Sequence, residues 1–509
     1  MPASRTDHAT SPHIAIIGTG FGGLCMAMQL VKAGIRSFTL FEKAATLGGT
    51  WRDNTYPGAA CDVQSHLYSY SFEPKSDWSR KFGTQAEIRE YLEDCAAKYG
   101  LLEHIRFESE VSGAVFDDAR QNWRLDLATG ESEVFDVVIT ACGQLNQPAY
   151  PNIPGRETFA GQSFHSARWD HEVDLAGRDV AVVGTGASAI QFVPQIVDRV
   201  GRLKLFQRSG AWVVSKPDRP FKPFEQKLFA RFPWFDRVYR TLIYWKNESR
   251  ALAFTRFGFL LETFAWMARF QAWRQMDNAD KRRRLIPDYK IGCKRILLAS
   301  DWYPAVDRDN LDLITDGIDH IESDAVVMKD GTRHTADVLI YGTGFHATDF
   351  LAPMAISGRN GASLNDVWRD GAEAYKGINV AGFPNLFMLY GPNTNLAHSS
   401  IVFMLESQVR YVMQCVQALR DPQVATMDVR ADRQQAYNTD IQNRLDGTVW
   451  TAGCDSWYTN ASGKQTNNWP DFTFAFRRMT AHLALDDYQL DAPRVPSRAS
   501  TPQRAAGGA

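Results

Sequence analysis

Apolar residues recur along this chain in short blocks that end at glycine or proline. Residues 13–17 form the first block and read as a strand, residues 22–33 carry helical period, and "RSFTLFE" returns as a second strand, completing a β-α-β unit. The same order recurs from 178 to 208. Between the two, "FDVVIT" at 135–140 reads as a buried strand, and the prolines and glycines of "ACGQLNQPAYPNIPG" behind it predict a crossing between domains. "ADVLIYGTGF" at 336–345 is a matching strand and exit, so the chain is expected to cross back there, with the second unit inserted into the first. Residues 217–290, rich in Phe, Trp, Arg and Lys, predict a helical insertion. The tail from 493 lacks apolar period and predicts disorder.

Both units carry glycines at the turn between strand and helix. In the first, Gly18 allows the turn, Gly20 lets a pyrophosphate approach the backbone, and Gly23 permits close helix packing, with the helix N-terminus offering N–H groups to the anion. Glu42 ends the second strand, where a carboxylate accepts from ribose hydroxyls and repels a 2′-phosphate, so this site fits FAD or NAD and not NADP. The second unit runs Gly184, Thr185, Gly186 and Ala189, the permitted G-x-G-x-x-A variant. At the offset where Glu42 stands it places Arg208, whose guanidinium can pair with a 2′-phosphate. The two cradles are therefore read as built for different dinucleotides, FAD first and NADPH second. The fold class that follows is α/β, with two Rossmann-like dinucleotide-binding domains, the NADP domain inserted into the FAD domain, and a helical insertion. The expected boundaries are 1–147 and 336–492 for the FAD part, 148–216 and 291–335 for the NADP part, 217–290 for the insertion and 493–509 for the tail.

Composition narrows the classes. The chain has 509 residues, 44% hydrophobic and 22% charged, which suits a globular protein of two or three domains. A net charge of −2 gives no footprint for nucleic acid, and "KRRR" at 281–284 reads as a solvated helix face. The first thirteen residues do not resemble a signal peptide, so a cytoplasmic location is expected. The nearest approach to a membrane span, residues 251–270, is broken by Arg256, Glu262 and Arg269. Seven cysteines without a C-x-x-C pair read as buried thiols, with no metal site.

Two further stretches say what the reduced flavin does. "FAGQSFHSARWD" reads F-x-G-x-x-x-H-x-x-x-W-D across Phe159, Gly161, His165, Trp169 and Asp170, directly before the second unit. It resembles the fingerprint of type I Baeyer-Villiger monooxygenases. "GGTWRDNTYPGAACD" at 48–62 is similar to that family's second long pattern, and both match without a gap. The resemblance implies an FAD-containing, NADPH- and O2-dependent enzyme that inserts one oxygen beside a ketone carbonyl through a C4a-peroxyflavin, giving an ester or lactone, with sulfide oxidation as a second activity. FAD is expected to be bound without a covalent link.

Carried over residue by residue, the resemblance places Thr50 and Trp51 against the flavin and Asp62 beside the reacting ring edge. It makes Arg295 the active-site arginine and Lys294 a holder of the NADPH phosphate. A fixed guanidinium suits that role because the peroxide and the tetrahedral adduct are both anions. Asp62 is expected to hold Arg295 in position, and His165 to couple the domains rather than to move protons. The aromatics at 453–478 predict a pocket loop around Trp457, with core packing as the alternative, and a small lipophilic ketone as substrate. Motion about linkers near 145–155 and 330–340 is expected. Gly342, where related sequences often have Ala, should leave the strand exit intact. The rival functions are an N- or S-hydroxylating flavin monooxygenase and a non-oxygenating NADPH–flavin reductase; neither the ketone nor the oligomeric state is legible.

Overall fold

Two five-stranded parallel sheets organise the chain in the computed structural model, which describes residues 11–451, 453, 458–460 and 462–494. The first sheet runs, edge to edge, Leu386–Met388, Val137–Thr140, Ile14–Ile17, Phe38–Phe41 and Ile105–Arg106. Every residue of Ile14–Ile17 and of Val137–Thr140 is buried, as a central strand covered on both faces requires. Ile14 pairs with Phe38 on one side and Val137 on the other, so the β-α-β unit closes as its pattern predicts.

The second sheet runs Leu311–Ile314, Arg202–Phe206, Asp179–Val183, Val338–Tyr341 and Gln162–His165. Here one expected boundary moves. The expected FAD part resumes at 336, yet the strand Val338–Tyr341 pairs in parallel with Asp179–Val183 and with Gln162–His165. It occupies beside the second glycine turn the place that Val137–Thr140 occupies beside the first, because four buried apolar residues complete their own sheet before the chain can leave it. The crossing therefore follows Tyr341. The two crossings also pair with each other: Ala149 N–H donates to Gly344 O at 2.9 Å and His346 N–H to Gln147 O at 3.0 Å.

The insertion is helical, with helices Pro223–Arg231, Pro233–Thr255, Leu261–Gln275 and Ala279–Leu285. Its two ends are tied by the parallel pair Val213–Val214 and Leu297–Leu298. Among the described residues no helix is long and apolar enough to cross a membrane. Cys25, Cys61, Cys95, Cys142 and Cys415 are free thiols, as read from the sequence, but Cys293 is disulfide-bonded. Spacing alone does not encode such a pairing.

Gly342 tests how far the strand exit tolerates change. A Cβ there meets Ala189 Cβ at 3.4 Å and Val183 O at 3.6 Å, ordinary contacts. Gly342→Ala is expected to shift stability by no more than about 1 kcal/mol, and toward greater stability, since the unfolded chain loses freedom. A chemical-denaturation midpoint measures it, and a large loss would mean that the exit is strained.

Candidate active site

The first glycine turn separates what the fold demands from what a ligand demands. Gly18 has φ +105°, and a Cβ there would lie 2.7 Å from Ala141 O; a Cβ at Gly23 would lie 1.9 Å from Gly18 O. Both glycines are imposed by the chain's own backbone. Gly20 is different: the nearest atom to its Cβ position is Gly49 Cα at 3.8 Å. Its bareness leaves open the floor of a cavity of 1470 Å³ that runs from this turn to the second one. Helix Phe21–Lys32 starts there with no side-chain cap and no acidic residue in its first turn, so its N-terminal N–H groups face the cavity ready for an anion.

Glu42 stands at the cavity edge, 4% exposed. Thr19 Oγ1 donates to it at 2.6 Å and Ala44 N–H at 3.0 Å, and Arg52 pairs with it at 2.7 Å. Thr50 and Trp51 lie on the short helix Thr50–Asp53 and line the same cavity, with Trp51 Nε1 donating to Tyr68 Oη at 3.3 Å. The rest of that motif fastens the two dinucleotide units together. Tyr56 Oη donates to Gln191 Oε1 at 2.9 Å, Gln191 Nε2 donates to Ala60 O at 2.9 Å, and a Cβ at Gly58 would lie 2.7 Å from Gln191 O.

The second turn repeats the first. Gly184 has φ +106° and its Cβ position is 2.5 Å from Gly342 O, whereas Gly186 has no neighbour closer than 3.7 Å. Ala189 is fully buried at the start of helix Ala189–Ile196, and Thr185 Oγ1 donates to Ser209 O at 3.3 Å. Arg208 is exposed just beyond strand Arg202–Phe206 and lines the cavity. Lys294 reaches the same point from another segment, its Nζ donating to Ser209 Oγ at 3.2 Å. Two cations of distant origin thus flank Ser209, a donor set that suits a phosphate.

Between the turns sits the Asp62–Arg295 pair. Arg295 Nη2 and Nε donate to one oxygen, Asp62 Oδ2, at 2.5 and 3.1 Å, and each side chain keeps 30% exposure. The charge of Asp62 raises the Arg295 pKa despite burial. Burial pushes the Asp62 carboxyl up, but the charge and hydrogen bond of Arg295, with Lys216, outweigh it and hold the group below its ordinary value. Both groups are charged through the neutral range. Two phenols complete the surroundings. Burial pushes Tyr458 up to about 12, partly offset by Arg295, and raises Tyr390 as well, so both remain protonated donors. Tyr390 holds φ +64°, fixed by its N–H to Gln408 Oε1 at 2.9 Å and its hydroxyl to Asn395 Oδ1 at 2.6 Å. Lys216, Tyr390, Tyr458 and Gln191 were not singled out in the sequence; each is recognisable only once the fold brings it to the pair or to the contact between units. Trp457 lies outside the described residues.

The fingerprint residues do not line the cavity. A Cβ at Gly161 would lie 2.4 Å from Asp337 O, and Phe159 packs beside Ile321 and Tyr341 in the small core next to the crossings. Trp169 packs against Phe164 and Phe192, each at 5.2 Å between centroids. His165 is fully buried, with its ring against Tyr150 of one crossing and Phe345 of the other, and its Nδ1 accepts from Ala167 N–H at 3.1 Å. Burial brings its pKa down to about 4. The unfolded chain binds a proton near pH 6.5 and the folded one does not, so this histidine's stabilising effect is complete above that value and is lost as pH falls toward 4. A loss of about 2 kcal/mol from this group is expected between pH 7 and 5, and His165→Gln should flatten that part of the pH–stability curve. Parallel curves for the two proteins would remove His165 from the account.

Comparison with known proteins identifies the family. Residues 11–357 match the model of the flavin-binding monooxygenase-like family. A Baeyer-Villiger monooxygenase of Pseudomonas aeruginosa is 44% identical, over 94% of this chain and 91% of that protein. One from Streptomyces coelicolor is 43% identical, over 94% and 93%. Among solved structures, a closed form of cyclohexanone monooxygenase superposes with a TM-score of 0.85 at 28% identity, covering 94% of this chain and 99% of the other. Oxidised steroid monooxygenase bound to NADP superposes with a TM-score of 0.85 at 27% identity, covering 95% and 100%. The chain belongs to the flavin-binding monooxygenases, and among them to the Baeyer-Villiger monooxygenases.

Proposed function

We propose that this protein uses NADPH and O2 to insert one oxygen atom beside the carbonyl of a small lipophilic ketone, giving an ester or lactone. The observation that carries the reading is the Asp62–Arg295 pair set in one cavity between two glycine turns of different polarity. FAD fits the first turn, where Gly20 leaves room and Glu42 lines the cavity just after strand Phe38–Phe41; NADPH fits the second, where Arg208 and Lys294 flank Ser209. When bound, the flavin accepts hydride from the nicotinamide and activates O2. Arg295 supplies a permanent positive charge where negative charge builds on oxygen, and Asp62 fixes the guanidinium's plane. Tyr390 lines the cavity and Tyr458 is buried beside Arg295, both as neutral phenols. The paired crossings at 147–149 and 344–346, packed on His165, are the place about which the NADP part can move against the FAD part. Turnover with a panel of ketones tests the reading: NADPH consumption, O2 uptake and ester formation should match one for one. Consumption with no oxygenated product from any ketone, sulfide or amine would leave only a reductase.

The cofactor preference follows from Arg208. Arg208→Ala is expected to cost NADPH binding about 1.5–3 kcal/mol, the worth of a charge-assisted contact, while leaving NADH nearly untouched. KM values for both cofactors decide it, and equal losses would move the 2′-phosphate contact elsewhere.

A further inference from the structure

The helical insertion carries an apolar surface that the reaction does not use. Of the twenty large apolar side chains exposed among the described residues, thirteen lie between 224 and 273. They are arranged rather than scattered. Along helix Pro233–Thr255, Trp234, Val238, Leu242 and Trp245 recur at helical spacing, 46–64% exposed. Along helix Leu261–Gln275, Trp266, Phe270 and Trp273 do the same, their rings stacked at 5.4 and 5.9 Å between centroids. The first helix turns Asp236, Asn247 and Glu248 inward: Glu248 is 1% exposed, accepting from Thr473 N–H at 2.9 Å and lying 3.1 Å from His398 Nε2. That buried network holds the apolar stripe outward.

Charge says what covers it. Residues 217–290 hold 16 Lys and Arg against 8 Asp and Glu, a net of +8 in a chain whose net charge is −2. Arg231, Arg237, Lys246, Arg256, Arg269 and Arg274 are exposed among the aromatics. Beside Trp273 a separate pocket of 510 Å³ is lined by Arg269, Arg282 and Arg283, with Asp288 as its acid. Trp and Phe with interspersed Lys and Arg match the boundary between headgroups and acyl chains of an anionic bilayer. A second copy of the chain fits less well, because a two-fold contact through this face would set two surplus-positive surfaces against each other.

We infer that the insertion docks on an anionic lipid surface, its Trp and Phe stripes entering the interface and its arginines meeting lipid phosphates. The enzyme lies on the bilayer without crossing it. Apolar ketones, the substrate class proposed above, partition into the same phase.

Vesicle flotation of the full flavin-loaded chain tests this, with phosphatidylcholine vesicles carrying phosphatidylglycerol against phosphatidylcholine alone. Binding should be at least about tenfold stronger to the anionic vesicles and should weaken as salt rises. The combined variant Trp245→Ser, Trp266→Ser, Trp273→Ser and the charge variant Arg274→Glu, Arg283→Glu should each lose about tenfold or more of that binding while turning over a water-soluble ketone as before. In the wild type, the tryptophan emission should shift to the blue on anionic vesicles and be quenched by brominated acyl chains, a readout that does not depend on any variant folding. No flotation at low salt, or equal binding to both vesicles, overturns the inference. So does sedimentation showing a wild-type dimer that the Trp variant converts to monomer, which would assign the face to a second copy.

Discussion

Arg295→Ala should go on oxidising NADPH while ester formation falls by about 100- to 1,000-fold, the usual cost of removing a donor that stabilises developing negative charge. O2 taken up should then appear as H2O2. The expectation is differential. The resting site asks little of a cation, whereas the proposed insertion step would gather negative charge on oxygen in the cavity that Arg295 lines. Arg295 is permanently charged and tied by two of its nitrogens to Asp62, so it needs no reorganisation when that charge appears. Arg295→Lys should recover part of the rate, since a lysine keeps the charge but cannot reproduce the two-nitrogen contact. Asp62→Ala should fall between them, because it leaves the guanidinium charged but unaligned. An oxygen electrode with peroxide assay, flavin absorbance and product mass would follow the three variants together. Ester at the wild-type rate from Arg295→Ala would assign the anion to another donor, Tyr458 first. Loss of flavin from that variant would make the pair structural.

What could be read before folding was whatever depends on neighbours in sequence. The two strand–glycine–helix turns are local, and so Gly18, Gly23 and Gly184 stand where their spacing puts them, each with a backbone carbonyl occupying its Cβ position. The Asp62–Arg295 contact joins residues 233 apart, and no period in the chain could have paired them; only the resemblance of their motifs did. Gln191 reads as an ordinary polar position on an amphipathic helix, and its role in joining Tyr56 and Ala60 exists only across the contact between units. Strand Val338–Tyr341 shows the same limit from the other side. Its existence and burial were legible from four apolar residues, but its sheet was not, because parallel partners are chosen by topology rather than by the strand itself. Lys216 and Tyr390 reach the pair from segments with no motif at all.

The glycines of the first turn should separate into two classes when replaced by alanine. At Gly23 the new Cβ would fall 1.9 Å from Gly18 O, a contact that two backbone segments cannot relax without moving helix Phe21–Lys32 off the strand. Gly23→Ala is therefore expected to lower stability by several kcal/mol, about 3 or more, and to yield little soluble protein. Gly20→Ala meets nothing closer than Gly49 Cα at 3.8 Å, and Gly20 has φ −80° and ψ −167°, which any residue can adopt. The folded apoprotein should melt where the wild-type apoprotein melts. What changes is the ligand: the methyl group stands in the path by which a pyrophosphate reaches the N–H groups at the start of the helix. Losing one or two charge-assisted hydrogen bonds, at about 1.5–3 kcal/mol each, should weaken FAD by about tenfold or more. Apoprotein melting and flavin titration measure the two effects independently. A Gly20→Ala protein that keeps wild-type flavin affinity would place the pyrophosphate away from this turn, and one whose apo form is as unstable as Gly23→Ala would show that Gly20, too, is required by the chain and not by its cofactor.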